Sequence, residues 1–212
     1  FQHTERRVVA SVLTNARRHV NGLLLYAHVL PDIHRRVAYA LSQRQFNIES
    51  AKMNKVQFLN GRIGFCYYVE VSQRSKSELT FPRELETSIL RDSPPPLRSG
   101  SEQYDYTTRV QIEHLEDDQK GYLVEERPPK VGDGPTRFRR RPQEYHLVRI
   151  TAEDAFLVYY KMALAFEQAQ VPIQQSLITT TGHQVTDTFY ILPEDRQTLL
   201  ASNFEENLRQ LL

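Results

Sequence analysis

The sequence is short of sulfur and of net charge. Of 212 residues one is cysteine, two are methionine and none is tryptophan, and 27 Lys and Arg stand against 26 Asp and Glu. A single Cys66 closes no intrachain disulfide and builds no cysteine metal cluster, so a reducing, cytoplasmic setting is expected. A formal net charge of +1 supplies no field that would draw the chain to nucleic acid or to an anionic membrane. No apolar run approaches the roughly 20 residues that cross a bilayer, and no membrane partner is expected. The chain begins at Phe1 without Met and without the charged and apolar stretches of a secretory signal, which predicts a fragment of something longer. What is there, 40% hydrophobic and 25% charged residues, is the composition of ordinary folded protein able to bury a core.

Catalytic constellations are missing as well. Nucleotidyl transfer needs carboxylates that hold metal ions beside a phosphate-cradling loop. No Gly-Ser loop followed by paired acids occurs, and Asp117-Asp118 and Glu125-Glu126 read as solvated surface. Metal-dependent hydrolysis needs clustered His and Asp, yet His3, His19, His28, His34, His114, His146 and His183 are scattered singly. Cys66 alternates with aromatic strand neighbours and reads as a small buried hydrophobe, because no base is placed beside it. The chain is expected to catalyse nothing by itself and to carry no cofactor and no metal.

Seven of the eleven prolines and four of the eight glycines fall between residues 93 and 142, dividing two structured blocks. In the first, Val8, Val9, Val12, Leu13, Ala16 and Val20 form a stripe that predicts an amino-terminal helix over 1–21, capped near Asn21-Gly22. Residues 22–30 read as a buried strand, and Ile33, Val37, Ala40 and Leu41 as a short amphipathic helix. A strand from Asn47 to about Leu59 turns at Asn60-Gly61, the strongest hairpin signal in the chain, and returns from Ile63 to Val71. Residues 80–90 form a helix with Pro82 early, and 109–115 alternate like a half-buried strand. The order is βαββαβ, a first unit over 22–118.

After a linker over 119–144, the second block (145–212) repeats that order. Tyr145 to Thr151 is a strand, Thr151 and Asp154 have capping-box spacing before a helix, and Ile173 to Thr180 is the next strand. Thr181-Gly182 turns the chain into 183–192, and a last helical stretch follows Pro193, with no final strand. Phe46-Asn47-Ile48 matches Val171-Pro172-Ile173 at an offset of 125 and Gly61 matches Gly182 at 121, so the first hairpin is four residues longer. The expected fold class is α+β: two tandem ferredoxin-like units with an amino-terminal helix and a long, partly ordered linker.

The Val-Pro-Ile stretch and the run Gly182-His-Gln-Val-Thr-Asp-Thr-Phe-Tyr-Ile191 resemble an ACT domain, specifically the carboxy-terminal ACT unit of the bifunctional uridylyltransferase/uridylyl-removing enzymes that modify PII-type nitrogen signalling proteins. Phe46-Asn-Ile-Glu-Ser-Ala-Lys52 and Phe65-Cys-Tyr-Tyr-Val69 resemble the preceding ACT unit. The matches cover about 22–72 and 145–212. The resemblance implies a regulatory region that senses an amino acid, commonly glutamine, without catalysis of its own, in a homo-oligomeric, cytoplasmic protein with a PII-type partner. It also implies an effector site on the loop between the first strand and first helix, here Glu153, Asp154, Ala155 and Phe156. That loop would face a second strand near Asn47-Ile48 or Pro172-Ile173-Gln174, with Asp32 and His34 as its first-unit counterparts.

This chain departs from the family in that loop, where Ala155, Phe156 and Leu157 replace Arg-Pro-Gly. From Asp154 to Ile173 is 19 residues and from Asp32 to Ile48 only 16, so the first loop is three shorter if the two Asp correspond. Asp154 therefore has two readings, an acceptor for an effector's ammonium group or a plain helix cap. The runner-up function is a degenerate ACT pair that serves only in oligomerisation or docking. Apolar stripes at Val8, Val12 and Val20 and at Leu200, Phe204, Leu208 and Leu211, with the second unit's missing fourth strand, argue for a homodimer unless residues 109–115 or 121–125 fill that edge. A third reading, RNA binding, is weak: Arg62-Ile-Gly-Phe-Cys-Tyr-Tyr-Val69 only partly imitates the aromatic strand motif of RNA-recognition domains, and Arg137-Phe-Arg-Arg-Arg141 is a short basic run.

Overall fold

A computed structural model describes residues 8–15, 20–28, 32–43, 46–57, 61–73, 82–91, 110–115, 121–126, 138–155 and 157–212. The first block runs β1 (Val8–Asn15), β2 (Val20–His28), α1 (Ile33–Gln43), β3 (Phe46–Gln57), β4 (Ile63–Gln73) and α2 (Pro82–Arg91). Then come β5 (Gln111–Leu115), β6 (Gly121–Glu126), β7 (Phe138–Gln143), β8 (His146–Glu153), α3 (Val158–Gln168), β9 (Gln175–Thr181), β10 (Gln184–Ile191), α4 (Asp195–Ala201) and α5 (Phe204–Leu211). The fold class is α+β, as expected. The two units share one sheet in the order β1-β2-β4-β3-β9-β10-β8-β5, with every neighbouring pair antiparallel. The helices α2, α1, α3 and α5 lie side by side in that order, and one apolar core joins helices and sheet across both units.

The expected amino-terminal helix is a strand. Val8–Asn15 pairs with β2 through Val8↔Ala27 to Asn15↔Val20, and no helix cap forms at Asn21-Gly22 because both residues lie inside β2. Spacings of four (8, 12, 16, 20 and 9, 13) satisfy a period of two as well as one of 3.6, and a valine-rich run resolves that ambiguity toward the strand. The boundary of the first unit moves too. Gln111–Leu115 pairs with β8 rather than with the first unit, from Gln111↔Thr151 to Leu115↔Leu147.

Each unit thus takes its fourth strand from the segment that precedes it: β1 beside β2, and β5 beside β8. In both places the added strand is antiparallel, occupying the position that a trailing strand fills in a βαββαβ chain. The second unit's apparent missing edge is therefore filled from within the chain. The expected linker contains a ribbon, β6 paired with β7 from Gly121↔Gln143 to Glu126↔Phe138, which extends the end of β3 through Val56↔Val124. Arg139 and Arg140 of the basic run sit opposite Glu125 and Val124 in that ribbon.

Registers explain how the sheet divides into two faces. Val69, Ala51, Ile178, Asp187, Ile150 and Ile112 stand opposite one another from strand to strand, on the face that the helices cover. Five are aliphatic and one is a carboxylic acid. Next to that row, Phe189 of β10 meets Phe166 of α3 at 4.7 Å, and Phe166 meets Phe204 of α5 at the same centroid distance. The alternate row, Leu24, Tyr68, Lys52 and Leu177, faces the other way and is exposed.

The helices begin and end by recognisable local chemistry. Helix α3 closes in a Schellman motif, with the Val171 amide donating to the Phe166 carbonyl and the Gln170 amide to Glu167, both at 3.0 Å. Phe166 and Val171 pack as its hydrophobic pair. Gln170 holds the left-handed position, φ 58°, where glycine carries no Cβ penalty. Gln170→Gly is expected to raise stability by about 1 kcal/mol, read as a higher urea midpoint at unchanged slope.

Candidate functional site

Repetition places the two loops that precede α1 and α3 in equivalent positions. Asp32 (φ 60°) and Leu157 (φ 64°) each stand in the left-handed region directly before their helix, and they are 125 residues apart, as are Ile33 and Val158, and Phe46 and Val171. Asp32 therefore corresponds to Leu157, not to Asp154, and the first loop is not three residues short. Leu157 thus holds a left-handed conformation that glycine adopts without a Cβ penalty. The capping readings also fail. The residue capping α3 is Leu157, no side chain caps the helix, and Thr151 lies within β8 with its hydroxyl 3.4 Å from that of Thr186. The loop is tied down instead by the Asp154 amide, which donates to the His183 carbonyl at 2.8 Å.

Because the units meet along β3 and β9, the loop before α3 faces β3, the loop before α1 faces the segment that leads into β9, and a cleft lies at each junction. The larger, about 370 Å³, brings Asp154, Ala155, Leu157 and Val158 against Phe46 and Ile48, with Tyr159, Ile178 and Val185 forming part of its wall. The smaller, about 200 Å³, brings Asp32, His34 and Arg35 against Val171, Pro172 and Ile173. Most residues singled out from sequence thus sort into two groups: Asp154, Ala155 and Ile48 in one cleft, and Asp32, His34, Pro172 and Ile173 in the other. Glu153, exposed at the end of β8, and Gln174 line neither. Gln174 accepts a hydrogen bond from Lys55 Nζ at 2.8 Å, and its Nε2 donates to the Pro172 carbonyl, a bracing role. Phe156 and the side chain of Asn47 lie outside the described residues.

Between the clefts, polar groups stitch one helix to the other. Arg35 grips both carboxylate oxygens of Glu167, at 2.7 and 3.1 Å, reaches Asp32 at 3.4 Å, and places its guanidinium 5.7 Å from the Tyr160 ring centre while donating to that hydroxyl at 3.3 Å. A planar fork that meets a carboxylate twice fixes direction as well as distance. His34 makes a second link. Its Nδ1 lies 2.8 Å from the Tyr67 hydroxyl, its ring bonds the Ile173 backbone of the other unit, and packing against Phe65 and Tyr67 desolvates it. That burial lowers its pKa to about 4, the Ile173 bond opposing the shift only in part. His34 is therefore neutral at pH 7 and accepts the Tyr67 proton at Nδ1.

Asp187 is the group sequence reasoning passed over. Its side chain is fully buried, neither oxygen has a hydrogen-bond partner among the described residues, and burial, with the charge of Asp154 adding to it, pushes its pKa well above the usual carboxylate range. The neighbouring Tyr159 hydroxyl, itself pushed up by burial, turns to Ser176 Oγ at 3.4 Å. The signal for Asp187 was present: an acid in the apolar phase of the alternating strand Val185-Thr-Asp-Thr-Phe-Tyr-Ile191. Arg35, Tyr160 and Glu167 gave no comparable signal, because charged and hydroxylated positions on helices are ordinarily solvated.

Two histidines thought isolated are neighbours: His114 Nδ1 of β5 lies 3.2 Å from His146 Nε2 of β8, the rings stacked. Cys66 is partly buried on β4, and burial pushes its thiol pKa up, away from the reactive thiolate. Among the described residues no three His, Cys, Asp or Glu side chains converge on a point where a metal ion would sit, and no helix is long and apolar enough to cross a membrane.

No protein-family model and no curated protein matches the chain. Among solved structures, aspartate kinase from Synechocystis is similar at a TM-score of 0.26 and 11% identity, over 90% of this chain and 40% of that one, a likeness too distant to assign fold or activity.

Proposed function

We propose that this chain is a regulatory, amino-acid-sensing pair of ACT-type units that catalyses nothing itself and serves a uridylyltransferase-like nitrogen-signalling enzyme. Glutamine is the effector to test first and a PII-type protein the partner, in a cytoplasmic setting. One observation carries the reading: each loop before a first helix opens a cleft against the opposite unit, at its second strand or the segment leading into it, so a ligand there touches both units at once. Ligand binding that bridges two packed units is a direct means of changing how they sit together, provided it favours one arrangement over another.

Calorimetry and thermal melting with each standard amino acid test this. A saturating effector at a hundred times its Kd should stabilise the chain by about 2.7 kcal/mol, whereas no heat and no shift with any of them ends the reading.

The docking alternative keeps one specific support, the exposed register row Leu24, Tyr68 and Leu177 on the open face of the sheet. The terminal stripes lend a homo-oligomer less support than expected: Val8–Asn15 is a strand, Phe204 and Leu208 are buried within the chain's own core although Leu200 stays exposed, and β5 fills the second unit's edge. If a homo-oligomer forms through the open face, light scattering should give twice the monomer mass, reverting to the monomer in Tyr68→Lys. A monomeric wild-type chain at micromolar concentration sinks self-association through this face.

A further inference from the structure

We infer that the larger cleft binds an organic cation, an ammonium or guanidinium group on a short apolar stem, held by Asp154 together with the buried Asp187. The inference uses the regulatory reading only in taking this cleft as a ligand site; it adds what the ligand must carry. Three observations converge. First, no Lys, Arg or His is among the described residues lining the cleft, and the charged side chain there is Asp154, with aliphatic and aromatic groups around it. A ligand's carboxylate finds no cation in that lining, while its cation finds an anion.

Second, Asp187 stands on β10 beside the cleft wall. Val185 lies two residues away on the same strand face, Ile178 is its register partner, and Asp154 and Tyr159 are near enough to interact with it electrostatically. It is the acid in an otherwise aliphatic row, with neither oxygen hydrogen-bonded among the described residues. A buried carboxyl left this way costs stability unless a partner arrives.

Third, the internal repeat supplies a control. Ile150 and Ile178, the register partners of Asp187, correspond at an offset of 125 to Leu25 and Met53, the register partners of Tyr67. Asp187 therefore takes the place of Tyr67, and Tyr159 that of His34. In the first unit the pair is complete, Tyr67 bonded to His34 and His34 to Ile173. In the second the corresponding pair is an unbonded acid and a tyrosine turned to Ser176. The first unit satisfies its buried pair with its own side chains, while in the second the acid is left for a ligand to complete.

Among the described residues the titratable groups that act on Asp187 are Asp154 from the loop and Tyr159 from α3; β8 and β9 present Ile150 and Ile178. Neither titratable neighbour supplies a positive charge, so burial and the charge of Asp154 favour the protonated form of Asp187, and a bound cation would favour release of that proton. The test is calorimetry of the 212-residue chain at pH 7 with putrescine, lysine, arginine and glutamine, in two buffers of different ionisation enthalpy. The three ligands bearing an extra positive group or lacking a carboxylate should bind about tenfold or more tightly than glutamine. Their heats should differ between buffers by up to one proton released per site. In Asp187→Asn the proton release should vanish and affinity fall about tenfold while the melting temperature holds, which separates a ligand contact from a structural role. Glutamine binding as tightly as the cations, or cation binding indifferent to Asp187→Asn and Asp154→Asn, overturns the inference and leaves the regulatory reading standing. No heat with any of the four also overturns it, and the regulatory reading then rests on the remaining amino acids.

Discussion

Replacing Asp187 by valine is expected to stabilise the chain by about 2 kcal/mol at pH 7, an unusual outcome for a substitution in the middle of a core. The position is fully buried, flanked across the sheet by Ile178 and Ile150, and carries a carboxyl with no partner among the described residues. Valine adds apolar area in a strand that favours β-branched residues and removes an uncompensated polar group. The gain should also depend on pH. Asp187 has a folded-state pKa raised above its unfolded value, so the folded chain binds the extra proton and this contribution to stability is lost as pH rises through the folded pKa. The difference between Asp187→Val and wild type should therefore be larger at pH 8 than at pH 4. Urea midpoints at the two values check this, and a destabilised variant would show that the carboxyl has a partner in the native chain. A residue that costs stability where it sits is more readily explained by ligand binding than by folding.

How much of this was legible in the sequence depended on whether the deciding interaction was local. The hairpins were: Gly61 and Gly182 adopt φ 75° and 63°, the conformations that turn residues report through composition alone. Helices α1 and α2 were legible because Ile33, Val37 and Leu41, and Leu85 and Ile89, recur at spacings that only their buried faces require. The partner of a strand was not. Residues 109–115 alternate as a strand must, but nothing within them says whether they pair with β2 or β8; that choice is made where β1 already occupies the edge of β2.

The site followed the same division. The loops could be found by family resemblance, whereas the correspondence of Asp32 with Leu157 needed backbone conformation, because two aspartates near the right place offered a false match. The isolated look of the histidines came from counting neighbours along the chain, when β5 and β8 bring His114 and His146 together across the sheet.

Acidification should loosen the joint between the units through His34. In the folded chain its pKa is lowered from the ordinary 6.5 to about 4, because the ring is desolvated against Phe65 and Tyr67. For a basic group depressed in this way the unfolded chain binds the proton first. Stability is thus intact above about pH 6.5 and is lost as pH falls toward 4, by up to about 3 kcal/mol over that window. Protonation also turns Nδ1 from acceptor into donor, so the Tyr67 hydroxyl loses its acceptor and the linkage from α1 through His34 to Ile173 is strained at one end. His34→Gln, neutral throughout, should show a smaller loss on acidification than wild type. Asp187 titrates in the opposite sense, favouring the folded chain as pH falls, so the two groups mask each other in the wild-type profile. Removing Asp187 should unmask the His34 slope, giving a stability that rises steeply between pH 4 and 6.5 in Asp187→Val and flattens in the double variant His34→Gln/Asp187→Val. Equal slopes in those two proteins, measured by urea unfolding across that range, would mean that His34 is not the acid-sensitive link.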